Sequence, residues 1–141
     1  MSDLTFVDSN ILIYAHDADA GLKRERAIDA LRSLWDTDAG RLSVQVLQEF
    51  YVNATRKLAE PVARSIAREV ISSYGTWIRE STTAGTVLRA SDISDLAQIS
   101  FWDALIVASA EQSGATQLYS EDLNDGQSIA GVKVVNPLQN R

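Results

Sequence analysis

Short apolar segments suited to buried strands alternate along this chain with longer segments that have the apolar spacing of helices. The predicted strands or extended segments are Leu4–Val7, Arg41–Ser43, Thr76–Ile78, Gln117–Tyr119 and Val132–Val135. The predicted helices are a short one that continues from Ile11–Tyr14, then Leu22–Trp35, Val44–Leu58, a helix from Pro61 to Gly75, Thr86–Leu96 and Trp102–Gln112. This alternation predicts one α/β domain over residues 1–141, with a parallel or mostly parallel sheet flanked by helices on both faces.

The composition is that of an ordinary soluble domain. The 141-residue chain is 45% hydrophobic and 23% charged. Its acidic start lacks the basic residues of a signal peptide, and the apolar run Ala104–Ala108 is far shorter than a membrane span. We therefore expect a cytoplasmic protein with no membrane partner.

The cysteine and histidine counts exclude several chemistries. The chain has no cysteine, which excludes disulfides, thiolate nucleophiles and cysteine-ligated zinc. Its single histidine, His16, excludes a metal-free ribonuclease that uses a histidine acid and a histidine base, and we expect His16 to close a short helix instead. Carboxylates remain as the plausible reactive groups.

Four acidic residues lie where predicted strands meet helices or loops, or on a predicted helix: Asp8, Glu49, Asp103 and Asp122. Each has an ordinary alternative role. Asp8 could cap a helix, and Asp103 could reach back to the Ser100 amide in a capping box. Glu49 could be a surface residue of its helix, and Asp122 could belong to a turn.

Taken together, the four acids point to a metal. The carboxyl ends of parallel strands meet at one edge of a sheet, where ligands bind. Two carboxylates about 5 Å apart repel by roughly 3 kcal/mol at an effective dielectric of 20, so a cluster of four requires a cation. Ligation by carboxylate oxygens alone selects Mg²⁺ or Mn²⁺, which suits phosphodiester hydrolysis.

Four motifs carry a family resemblance: Val7–Leu12, Gln48–Tyr51, Phe101–Ile106 and Leu118–Leu123. In order and spacing they resemble the four acidic motifs of PIN-domain proteins, and the length of the chain resembles the VapC-type toxin ribonucleases. The resemblance implies a Mg²⁺-dependent endoribonuclease, usually dimeric, that acts on RNA and is held inactive by a small antitoxin. It also implies Asp8, Glu49, Asp103 and Asp122 as metal ligands, with Ser120 as the hydroxyl residue that accompanies the fourth acid.

Several assignments stay open in the sequence. Glu121 or Asp125 could share or replace the role of Asp122. We expect Asn10 to be a structural hydrogen-bonding residue near Asp8, and Trp102 to be a core residue rather than a platform for base stacking.

The charge distribution constrains the partners. A net charge of −6 argues against non-specific coating of nucleic acid, yet it does not exclude an enzyme that acts on nucleic acid. The basic stretch Arg56–Arg68 is a candidate contact for substrate or antitoxin.

Two other functions fit the acidic residues. One is a Mg²⁺-dependent phosphatase or phosphotransferase with an aspartyl nucleophile, although that chemistry typically needs a second aspartate at position 10, where this chain has Asn10. The other is a catalytically inactive binding module of the same fold.

Overall fold

The computed structural model describes residues 3–139, which form one five-stranded sheet flanked by six α-helices. The strand order is β2-β1-β3-β5-β4. The pairs β1–β2, β1–β3 and β3–β5 are parallel, and only β4–β5 is antiparallel. The strands are β1 (Thr5–Val7), β2 (Gly40–Arg41), β3 (Gln117–Tyr119), β4 (Ser128–Ile129) and β5 (Val132–Val135). The predicted α/β class with a mostly parallel sheet is confirmed.

The helices largely follow the predicted apolar spacing. They are α1 (Ser9–Ala15), α2 (Leu22–Thr37), α3 (Val44–Arg56), α4 (Arg64–Tyr74), α5 (Ala84–Ala97) and α6 (Phe101–Gln112). Helix α6 is buried without interruption from residue 104 to residue 110, because its sequence is apolar on nearly every side. No helix within residues 3–139 is long and apolar enough to cross a membrane.

One predicted strand and the start of one predicted helix are wrong. Thr76–Ile78 is not a strand, because Gly75–Trp77 forms a 3₁₀ helix. Trp77 is buried there and packs its ring 4.7 Å from Trp35 and 4.8 Å from Tyr74, so tertiary packing overrides the strand preference of its neighbours.

The second error concerns the start of α4. That helix begins at Arg64 rather than at Pro61, and the Val62 N–H instead donates to the Ala54 carbonyl at 2.8 Å. This bond holds the intervening segment against the end of α3.

Strand β4 was not predicted, because it is only two residues long. It pairs with β5, and the turn between the two strands consists of Ala130 and Gly131. Their φ angles are positive, at 52° for Ala130 and 78° for Gly131. Two consecutive positive φ angles are typical of a tight hairpin turn.

The register of β1 and β3 sets the position of the site. Val7 pairs with Tyr119, so the residues that follow these two strands, Asp8 and Ser120, become neighbours. The Asp8 N–H donates to the Tyr119 carbonyl at 2.9 Å, which extends the pairing by one residue.

Candidate active site

Asp8 lies at the carboxyl end of β1 and caps the amino terminus of α1. One carboxylate oxygen, Oδ1, accepts the Ser9 N–H at 2.7 Å, which is the predicted capping role. The other oxygen, Oδ2, accepts the Ser120 hydroxyl at 2.9 Å and the Asn10 amide at 3.3 Å. Only 3% of Asp8 is exposed. Helix capping therefore uses one oxygen, while the second oxygen joins a buried polar network.

The environment of Asp8 disfavours its charge. Burial raises the pKa of its carboxyl from 3.8 to about 7, although the bonds from Ser120 and Ser9 act in the opposite direction. The negative charges of Asp122 and Glu49 raise it further. None of the ion pairs in the described part of the chain involves any of the four predicted site acids. Asp8 is thus a buried carboxyl group held by neutral donors.

Asn10 connects Asp8 to the loop that follows β3. Its Nδ2 donates to Asp122 Oδ2 at 3.1 Å as well as to Asp8. Its Oδ1 accepts the Glu121 N–H at 3.2 Å, and this bond fixes which side of the amide faces the two carboxylates. The Ser120 hydroxyl also accepts the Asp122 N–H at 3.1 Å. Asn10 has the structural hydrogen-bonding role that the sequence predicted.

The two acids that compete with Asp122 are engaged elsewhere. Glu121 accepts the Tyr14 hydroxyl at 2.6 Å and lies 2.7 Å from Lys23 Nζ. Asp125 accepts the Asn136 N–H at 2.8 Å. Of the three acids in this loop, Asp122 is the one that shares hydrogen-bonding partners with Asp8. The contacts of Tyr14 and Lys23 were not predicted, because they depend on how α1 and α2 pack against this loop.

Glu49 and Asp103 approach the same region from α3 and α6. Both are partly exposed, and Glu49 is close enough to Asp8 to raise its pKa. The Asp103 N–H donates to Ser100 Oγ at 3.1 Å at the start of α6. Burial raises the pKa of the Asp103 carboxyl, the Ser100 hydroxyl lowers it, and the charge of Asp122 raises it.

The donor set of this region fits a hard cation, because it consists of carboxylate oxygens around a buried and unneutralised Asp8. Within residues 3–139, no three acidic or histidine side chains are arranged so that all could bind one ion. Of the four predicted acids, the structure joins Asp8 and Asp122 through the Asn10 amide, and Glu49 and Asp103 approach this pair from α3 and α6.

Predictions were also made for His16 and Trp102. His16 forms the C-cap of α1, with Nδ1 2.9 Å from the Leu12 carbonyl, and its predicted structural role is confirmed. Trp102 was predicted in the core, but 63% of it is exposed, so this prediction is wrong. The apolar stretch around it misled the prediction, because Trp102 occupies the outward position of the first turn of α6.

Several solved structures share this fold at low sequence identity. A toxin–antitoxin complex from Klebsiella pneumoniae matches with a TM-score of 0.67 and 21% identity, over 94% of this chain and 97% of that chain. The sarcin-ricin loop-cleaving toxin VapC20 from Mycobacterium tuberculosis matches with a TM-score of 0.61 and 21% identity, over 84% and 89%. The FitAcB structure from Neisseria gonorrhoeae matches with a TM-score of 0.67 and 18% identity, over 95% and 98%.

Family membership follows from the sequence match. No curated protein matches this chain. The family model of the PIN domain, however, matches residues 5–125. This range contains all four motifs and the strands β1, β2 and β3. This protein belongs to the PIN-domain family.

Proposed function

We propose that this protein is a Mg²⁺-dependent endoribonuclease, with Mn²⁺ able to substitute, and that it is the toxin of a toxin–antitoxin pair. Its metal ligands and catalytic residues would be Asp8, Glu49, Asp103 and Asp122. The observation that carries the proposal is Asp8, a buried carboxyl group at the end of β1 whose network leads to a second acid. Membership of the PIN-domain family supports it.

The residues around Asp8 hold its carboxylate in one orientation. Ser9 and Ser120 each donate to a different oxygen, so neither oxygen can rotate away without losing a bond. Asn10 sets the spacing between Asp8 and Asp122 by donating to both. A bound divalent ion would supply Lewis-acid stabilisation of the developing charge and a water activated for attack on the phosphodiester.

Asp8 must lose its proton before it can act as a ligand. Because its pKa is raised to about 7, metal affinity is expected to increase from pH 6 to pH 8. RNA cleavage is expected to increase over the same interval.

The proposed partners follow from membership of the PIN-domain family. We expect an RNA substrate, a small antitoxin that neutralises the enzyme, a homodimer as the active assembly and a cytoplasmic location. Structures of this fold include a complex described as toxin–antitoxin and a toxin described as cleaving the sarcin-ricin loop, which supports this class of partner and substrate.

The direct test is RNA cleavage by the purified chain with Mg²⁺ or Mn²⁺, with and without EDTA. The variants Asp8→Asn and Asp103→Asn should lose activity. Asp36→Asn is the matched control, because Asp36 is exposed on α2 and lies outside this network. Cleavage that persists in EDTA, or full activity of both site variants, would contradict the proposal.

A further inference from the structure

Trp102 is an exposed indole beside the candidate active site. It is 63% exposed and directly precedes Asp103 in the first turn of α6. The other two tryptophans are less exposed, since Trp77 is 1% exposed and Trp35, at 40%, packs against both Tyr74 and Trp77. The indole is thus a large aromatic surface that is available to a ligand next to Asp103.

One backbone contact and one ring contact hold Trp102 in place. Its carbonyl accepts Gln45 Nε2 at 3.4 Å, and Gln45 lies one helical turn before Glu49 on α3. Its ring packs edge-on against Phe101, with ring centroids 5.2 Å apart and an interplanar angle of 82°. The Trp102 backbone is therefore held beside α3, and its exposed indole directly precedes Asp103 on α6.

The charge of the chain indicates what such a residue could contribute. A net charge of −6 leaves little counterion release to drive the binding of a polyanion. Stacking of a base on an aromatic side chain supplies affinity without positive charge, and single-stranded RNA exposes the bases that such a platform requires.

We propose that Trp102 stacks on a nucleobase of single-stranded RNA next to the phosphodiester that the site acts on, and so serves as a substrate-positioning residue. This inference rests on the proposed function. A flat stacking platform tolerates any base, so Trp102 contributes to affinity and to the position of the strand rather than to a strict sequence preference.

Binding without cleavage tests the inference separately from the enzymatic activity. A fluorescein-labelled single-stranded RNA oligonucleotide of mixed sequence is titrated with Asp8→Asn protein in Mg²⁺, and fluorescence anisotropy gives the Kd. Adding Trp102→Ala should weaken binding roughly 5- to 150-fold, the range expected for the loss of one stacked base. Trp102→Phe should recover much of that loss, because a phenyl ring can also stack.

The matched control is Leu96→Ala, which truncates an apolar side chain that is 81% exposed on α5. It should leave the Kd unchanged. RNA should also quench tryptophan emission, and Trp102→Phe should remove most of the quenching, since Trp77 is buried and the partly exposed Trp35 packs in a separate cluster with Tyr74 and Trp77.

In otherwise unaltered protein, Trp102→Ala should raise KM for RNA by a similar factor while changing kcat much less. Equal Kd values for the Trp102→Ala and Leu96→Ala proteins, or no RNA binding before either change, would overturn the inference. So would a change in the molar mass of Trp102→Ala by light scattering, because the indole would then contact a second copy of the chain. Failure of the proposed function has a different signature, namely RNA that stays intact with every metal while binding still depends on Trp102.

Discussion

Replacing Asp8 with Asn should change how the stability of the metal-free protein depends on pH. The folded protein holds the Asp8 proton more tightly than the unfolded chain does, because burial raises the pKa of this carboxyl from 3.8 to about 7. The corresponding contribution to stability is fully present below pH 3.8 and is lost as the pH rises through about 7. Wild-type protein should therefore become less stable as the pH increases, and Asp8→Asn should remove that part of the slope.

The magnitude follows from the size of the pKa shift. The full shift corresponds to roughly 4 kcal/mol, of which about 2.5 kcal/mol falls between pH 5 and pH 8. The substitution also has a cost, because an amide nitrogen in place of Oδ2 can no longer accept from Asn10 and Ser120. Two lost hydrogen bonds cost about 2 kcal/mol at any pH. The change in the free energy of unfolding between pH 5 and pH 8 therefore isolates the effect of the Asp8 charge.

The assay is urea denaturation in EDTA at several pH values between 5 and 8, followed by fluorescence or circular dichroism. The free energy of unfolding of Asp8→Asn relative to wild type should increase by roughly 2.5 kcal/mol from pH 5 to pH 8. Asp36→Asn should run parallel to wild type, because Asp36 is exposed. If the Asp8→Asn and wild-type curves are parallel as well, Asp8 is ionised throughout and the argument from burial is wrong.

Three further outcomes are expected. Mn²⁺ at ten times its Kd should stabilise wild-type protein by about 1.4 kcal/mol at pH 8 in thermal or urea unfolding, and it should stabilise Asp8→Asn much less; equal stabilisation would place the ion elsewhere. Ser120→Ala should cost roughly 1–3 kcal/mol of unfolding free energy, because the buried hydroxyl donates to Asp8 and accepts from Asp122, whereas exposed Ser33→Ala should cost little. Gly40→Ala should cost roughly 1–3 kcal/mol of unfolding free energy and so lower the urea midpoint, because a Cβ at position 40 would overlap the Trp77 ring; a neutral result would mean that the ring can move aside.

Much of the fold could be predicted from local patterns. The apolar segments Thr5–Val7 and Gln117–Tyr119 and the helices that follow the 3.6-residue period were recognisable because each buries a continuous stripe of side chains. The errors fall where local preference and tertiary packing disagree. Trp77 lies in a 3₁₀ helix because its ring fills a space between Trp35 and Tyr74, and no window of the sequence around it contains that information.

Residue composition and motifs limit the chemistry that is available to this protein. No cysteine and one histidine leave carboxylates, and the motifs that contain Asp8, Glu49, Asp103 and Asp122 indicate the PIN-domain family. How these groups meet depends on the folded chain. The parallel register of β1 and β3 joins residues 8 and 120, which are 112 positions apart. The packing of α1 and α2 against the loop after β3 brings Asp122 to Asn10 and Glu121 to Lys23. Such pairings depend on contacts between distant segments, which residue type and spacing alone do not specify.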